Sequence, residues 1–390
     1  MVDFALTEEE QDTRRMLREF ALNEIRPRAI EVDKDPEHKF DWEIIRKAAE
    51  LDILGMPIPE AYGGAGMPLF SLVLAIEEIA YGDAGIATTI GINWANIALI
   101  LIEGKPENYS KYLPLLASRE GMLSCNACTE ASGGSDCATY SRYIPGTHKT
   151  MARKDGSDYV LNGTKTFITN AGVADLYLIL ASLEGYEGRD STAFFYVPGD
   201  APGLSIGKVE DKMGQRTSPT ADVVLSDVRV PQENVFGEPG KGVWYVENCL
   251  FPISRGAVGA LSVGIAQAAY DEALAYARER KQGGKRIIEH QAVAFKLVDM
   301  LTNIEAGRAL AWKSAWANIT TFGASPELSC MAKVFCTDMA MRVTIDAVQI
   351  FGGYGYMKDY PVEKFMRDVK LTQIYEGTND INRLDISCYL

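Results

Sequence analysis

The hydrophobic period of this chain changes twice, and that restricts its fold more than any single residue does. Up to about residue 120 the apolar positions recur at helical spacing. Thr7-Glu8-Glu9-Glu10 reads as a capping box, opening a helix that carries Leu17, Phe20, Ala21 and Ile25 on one face. Pro57, Pro59, Gly63, Gly64 and Gly66 interrupt the pattern before further helical runs over 69–81 and 85–101. Near Gly121 the period drops to two. Residues 159–161 and 164–169, around Asn162-Gly163, predict a hairpin with a type I′ turn, and strands follow over 176–181, 192–197 and 221–230. After Pro239-Gly240 the helical period returns over 262–280, 289–322 and 327–351. The reading is an α+β multidomain chain. Its parts are a helical domain over 1–120, a small β-barrel or sandwich over 121–238, and a four-helix bundle over 239–390.

Charge and composition narrow the partners. Thirty-nine basic against 53 acidic residues give −14, the wrong sign for a nucleic-acid surface. Residues 1–10 lack the apolar core of a secretory signal, and uninterrupted apolar runs such as 97–102 are too short to cross a bilayer. The expectation is a protein of the cytoplasm or a mitochondrial matrix, without membrane insertion. Seven scattered cysteines form no disulfide framework. Cys125 and Cys128 make a CxxC, but with no second such pair and only three histidines a metal site lacks ligands. Buried, reduced thiols are expected instead. The glycine-rich stretches 63–66 and 352–355 match neither a phosphate loop nor the dinucleotide spacing. These residues alone leave the function open.

A series of motifs carries a resemblance. Thr129-Glu130-Ala131-Ser132-Gly133-Gly134-Ser135-Asp136 resembles the TEPxAGSD signature of acyl-CoA dehydrogenases, and Phe167-Ile168-Thr169-Asn170 their aromatic-ITN strand. Met213-Gly214-Gln215-Arg216 is similar to the MGxR segment that links their domains. Arg280-Lys281-Gln282-Gly283-Gly284-Lys285 with His290-Gln291 resembles RKxFG…HQ. Gln349-Ile350-Phe351-Gly352-Gly353 and Ile374-Tyr375-Glu376-Gly377-Thr378-Asn379 complete the set in the family's order, over nearly the whole chain.

The resemblance implies FAD as cofactor, Glu376 as the base that removes the proton alpha to a thioester, and α,β-desaturation of an acyl-CoA. Electrons would pass to an electron-transferring flavoprotein, from a homotetramer. Such a base gains from a raised pKa between apolar walls. Some relatives carry the base just before an arginine at the start of the last domain. Here that position is Ser254, before Arg255, and a serine cannot replace a carboxylate. For FAD the resemblance implies Asn126, Ala127, Cys128, Thr129, Ser135, Phe167, Ile168 and Thr169 around the flavin. Arg280, Gln282, His290, Gln291, Gln349, Phe351, Gly352, Gly353, Thr378 and Asp380 would serve the rest, partly across a subunit boundary. Ser135, Arg255, Tyr375, Gly377 and Arg383 are implied substrate contacts. Ala87, Gly91 and Trp94 share a helical face that is expected to line a wide, shallow acyl pocket. That face suits a short branched or alicyclic group, and ordinary helix packing is the alternative for it. The sequence departs from the pattern at Ala131, at Gly283, which replaces an aromatic, and in a longer segment over 137–155. The same machinery also admits an enoyl-CoA reductase, an acyl-CoA oxidase or a non-catalytic acyl-CoA-binding scaffold.

Overall fold

The computed structural model describes residues 5–35, 37, 39–135, 147–320 and 325–390. Six helices come first: α1 Glu8–Phe20, α2 Arg26–Lys34, α3 Trp42–Glu50, α4 Leu69–Gly82, α5 Ala84–Glu103 and α6 Pro106–Leu116. The capping box forms as its residue types require, with the Glu10 amide donating to Thr7 Oγ1 at 3.2 Å and the Thr7 amide to Glu10 Oε2 at 2.8 Å. Eight strands follow: β1 Ser124–Ala127, β2 Met151–Asp155, β3 Asp158–Thr169, β4 Leu176–Leu183, β5 Thr192–Pro198, β6 Leu204–Val209, β7 Thr220–Val230 and β8 Val235–Gly240. They form one mixed sheet in the order β6-β7-β3-β2-β4-β5-β8, with β1 parallel to β4.

The expected hairpin at Asn162-Gly163 is not there. β3 runs straight through that dipeptide with a register shift against β7, and the true hairpin joins β2 to β3 across Gly156-Ser157. Gly163 is needed for another reason. A Cβ on it would sit 2.6 Å from the backbone of Thr150, so glycine lets β2 and β3 approach.

Alternation along β4 and β5 positions the sheet. Tyr177, Ile179, Ala193 and Phe195 face a core internal to the strands, while Leu178, Leu180, Phe194 and Tyr196 join the core of the helices. Both faces of β4 are therefore buried, which explains its continuous apolar run.

The second helical part comprises α7 Gly242–Tyr245, α8 Phe251–Glu279, α9 Gln291–Thr320, α10 Pro326–Phe351, α11 Val362–Thr372 and α12 Asn379–Ser387. A two-residue hairpin, Lys281–Gln282 with Lys285–Arg286, links α8 to α9. The stretches Ala84–Glu103 and Gly242–Glu279 are long and apolar enough to span a membrane, contrary to the expectation from uninterrupted runs. They are core helices, with 72% and 89% of their most apolar windows buried inside the protein.

Candidate active site

Glu376 lies in the short loop between α11 and α12, which Thr378 closes by accepting the Ile381 amide as the cap of α12. Its φ of +56° puts a non-glycine residue in the left-handed region, next to Gly377 at +78°. The carboxylate is half-buried and accepts a 2.6 Å hydrogen bond from the Ser254 hydroxyl on α8. The two positions at which the resemblance implies a base thus meet at one point, and the walls around Glu376 are not purely apolar. Behind it, Arg255 Nε donates to the Glu376 carbonyl at 3.1 Å, and Asn382 Nδ2 to the same oxygen at 3.3 Å.

A chain of polar contacts ties this loop to β3. The Tyr375 hydroxyl, pushed up to about 12 by burial, lies 3.4 Å from Thr88 Oγ1 on α5. Thr88 also donates to Gln215 Oε1 at 2.9 Å. Gln215 in turn donates its amide to Asp368 on α11 at 2.6 Å, so the MGQR segment locks the strands onto α11. One residue along α5, the Thr89 carbonyl accepts Asn170 Nδ2 at 3.1 Å, and the same amide group reaches the Ser124 carbonyl at 3.0 Å.

Asn170 ends the strand that presents Phe167. A second register shift between Lys165 and Ile168 and a φ of +57° turn the Phe167 ring outward, 62% exposed, while Ile168 is buried. The Thr166 amide donates to the Thr129 carbonyl at 2.9 Å, which lays 126–129 beside 167–169. Glu130 organises this corner. It accepts the buried Lys165 ammonium at 2.7 Å and the amides of Lys149 and Thr150 at 2.6 and 3.0 Å. Burial alone would raise its carboxyl, but His148 and Lys165 together hold it well below the usual range. Cys125 is fully buried in β1, where burial raises its thiol, and the Cys128 thiol donates to Asn126 Oδ1 at 2.9 Å.

A second group of expected residues gathers at the far end of α8. Arg280, Gln282, Phe351, Gly352 and Gly353 line an open cavity of about 450 Å³ with Tyr276, Ile287, Ile350, Tyr354 and Met357. A Cβ at Gly352 or Gly353 would meet nothing within 4 Å, which leaves the backbone accessible. Arg280 and Ser254 are 26 positions apart along α8, roughly 39 Å of helix at 1.5 Å per residue. His290 Nε2 lies 3.0 Å from the Gln282 carbonyl beside this cavity, while Gln291 and Gln349 are exposed on α9 and α10.

The geometry fits an elongated flavin dinucleotide at two places. One is a bare aromatic ring with flanking hydroxyl residues, on a strand tied by hydrogen bonds to the Glu376 loop. The other is an arginine with an uncovered Gly-Gly backbone, suited to a pyrophosphate.

Other expected residues fall elsewhere. Arg255 has no surface for CoA: it is fully buried, 2.9 Å from Asp385 Oδ2 and 3.8 Å above the Phe251 ring. Ala87 and Trp94 are packed away too, the indole N–H donating to the Ile53 carbonyl at 3.0 Å. Gly91 remains half-buried, and Thr88 is the residue of this helix that reaches Tyr375. Arg383 binds Asp338 at 2.6 Å and the exposed Asp380 at 3.3 Å. Ser135 is half-buried, Asp136 and 137–146 lie outside the described residues, and His148 is buried. Sequence reasoning missed Thr88, Lys333 and Asn382. The one signal was a lysine in an otherwise apolar stretch of α10.

Family models for acyl-CoA dehydrogenases match in sequence: the N-terminal domain over 7–120, the middle domain over 125–228 and the C-terminal domain over 240–388. The chain is 38% identical to the short-chain specific acyl-CoA dehydrogenase of Clostridium acetobutylicum, over 99% of each chain. It is 39% identical to cyclohexane-1-carbonyl-CoA dehydrogenase of Geobacter metallireducens, over 98% of each. A chain from structural work on the electron transferring flavoprotein of Acidaminococcus fermentans superposes with a TM-score of 0.93 at 38% identity, covering 100% of this chain and 99% of that one.

Proposed function

The chain belongs to the acyl-CoA dehydrogenase family of FAD-dependent oxidoreductases, and from that premise we propose that it desaturates a compact, uncharged acyl-CoA with Glu376 as the base. The observation that carries this reading is the Glu376 carboxylate, which accepts the Ser254 hydroxyl on a loop tied through Thr88 and Asn170 to the Phe167 strand. A thioester α proton is weakly acidic, so the base must be aimed and the developing enolate stabilised. Glu376 takes that proton, and Ser254 fixes which carboxylate oxygen faces it. The Glu376 backbone amide serves the thioester carbonyl. Bound FAD supplies the acceptor for the hydride that leaves the β carbon. Asn126 to Thr129 and Phe167 to Thr169 hold the flavin, and Arg280 with the Gly352-Gly353 turn holds the pyrophosphate side.

Ser254, beside Glu376, and Arg280 sit at opposite ends of α8, roughly 39 Å of helix apart, which supports a reading in which a second copy of the chain completes each FAD site. Exposed apolar residues on α9, Phe295, Val298 and Leu301, support such an assembly, a homotetramer. The relative from work on an electron transferring flavoprotein supports a flavoprotein acceptor.

For the acyl group, support comes from the short-chain and cyclohexane-carbonyl relatives and from α5, which carries no lysine or arginine to neutralise a second carboxylate. Anaerobic titration with butyryl-, cyclohexane-1-carbonyl-, glutaryl- and palmitoyl-CoA tests the reading. The flavin should bleach, and kcat/KM should be highest for the first two. Glu376→Gln should keep FAD and acyl-CoA binding and lose turnover by about 10²–10⁴-fold. Normal turnover in that variant would sink the assignment.

A further inference from the structure

A carboxylate-bearing residue in the left-handed region is strained, and it persists only where its surroundings over-determine the backbone. At Glu376 three side chains do this. Arg255 Nε and Asn382 Nδ2 hold the carbonyl of Glu376. Lys333 Nζ, from the middle of α10, donates to the carbonyl of Gly377 at 2.8 Å, and Asn382 Nδ2 reaches that oxygen at 2.9 Å. Lys333 also donates to Asn379 Oδ1 at 2.7 Å, and from its other side Asn379 Nδ2 donates to Thr337 Oγ1 at 2.9 Å and Asp338 Oδ1 at 2.7 Å. Lys333 and Arg255 are both fully buried, so two desolvated cations are aimed at the carbonyls of two consecutive residues.

Accepting the assignment of Glu376 as base, we infer that Lys333 is a positioning residue for proton abstraction, its ammonium holding the Glu376-Gly377 turn so that the carboxylate stays aimed. An apolar side chain could fill the same volume in α10, and burying a cation there is costly unless it does something an apolar group cannot. Burial brings the Lys333 ammonium down to about 7, and the Arg255 charge acts in the same direction. Glu376 and Asp338 oppose both. The clamp therefore feels the charge of the carboxylate it holds.

The test compares Lys333→Met and Lys333→Gln with wild type and Glu376→Gln, all as FAD-loaded protein. Three quantities are read: flavin content, turnover of butyryl-CoA, and washout of α-deuterium from 3-thiabutyryl-CoA in water. In that analogue sulfur replaces the β carbon, so the α proton can leave but no β hydride can follow. A small displacement of a reacting group costs on the order of 10²-fold, so Lys333→Met should lower both kcat and washout by about that factor. Its flavin content and KM should stay within about threefold of wild type, and Lys333→Gln, which keeps a donor, should fall between the two. Washout at the wild-type rate in Lys333→Met would overturn the inference. So would loss of flavin or of the folded state in both Lys333 variants, which would reduce Lys333 to a structural ion. If Glu376→Gln itself retained washout, the failure would lie with the base assignment instead.

Discussion

The two ends of α8 are built differently. At its start Ser254 and Arg255 meet a loop held by donors from α8, α10 and α12 of the same chain, two of them buried cations. At its end Arg280 faces a cavity rimmed by exposed Gly352, Gly353, Tyr354 and Met357, with solvent-facing Tyr356 nearby in sequence. The first is held by buried donors of one chain; the second is open to solvent. In the proposed reading, the base lies at the end whose geometry this chain alone fixes. In that reading a long cofactor would extend to the open end, which a second copy would complete.

This contrast predicts opposite outcomes for two arginine substitutions. Arg255→Ala removes the partner of the fully buried Asp385 and should cost about 3–5 kcal/mol, read from denaturant unfolding. Arg280→Glu should leave the stability of the FAD-free chain within about 0.5 kcal/mol of the FAD-free wild type. It should instead yield colourless, smaller species by gel filtration with absorbance detection. A yellow, stable monomer from Arg280→Glu would remove the distinction between the ends.

A pH experiment sharpens the buried end. Glu247, in the turn leading into α8, is buried, and burial pushes its carboxyl up to about 7 despite the neighbouring Arg189 guanidinium. Between its ordinary value of 4.5 and about 7 the folded chain binds the extra proton. Stability is therefore lost as pH rises through that window, by up to about 3 kcal/mol. Glu247→Gln should match wild type near pH 4 and be the more stable at pH 8 in urea unfolding. An equal offset at both pH values would show that Glu247 is not the titrating group.

Legibility in the sequence follows the range of the forces involved. The capping box at Thr7 and the apolar run of β4 are local signals, and the structure realises both. Asn162-Gly163 is an equally strong local signal, but pairing of β3 with β7 overrides it and the glycine serves the contact with Thr150. Around the site, motifs point to Glu376 and Phe167 because their neighbours in sequence are distinctive. Lys333 could not be found that way, since its partner carbonyl is 44 positions distant. The same limit hid the burial of Arg255 and Trp94. Sequence spacing assigns a face to a helix and leaves open what packs against it.

The smallest effect is expected at the open end, in the turn of Gly283-Gly284. The two residues close a hairpin with Gln282 opposite Lys285, at φ values of +60° and +82°. Positive φ at both central positions is the type I′ arrangement, which glycine and asparagine adopt readily and aromatic residues do not. A Cβ at Gly283 would also lie 3.2 Å from His290 Cε1, so the imidazole must shift by a few tenths of an ångström. An aromatic placed at Gly283 would have to adopt that left-handed φ. Restoring it with Gly283→Phe should cost about 1 kcal/mol in denaturant unfolding, whereas Gly283→Asn should be close to neutral. The pair separates backbone conformation from side-chain volume, because asparagine adds a Cβ but accepts the left-handed turn. If both variants lost the same stability, contact with His290 rather than φ would govern the site. If neither lost any, the hairpin would unfold locally before the core, which is the behaviour a solvent-open end allows and the clamp under Glu376 does not.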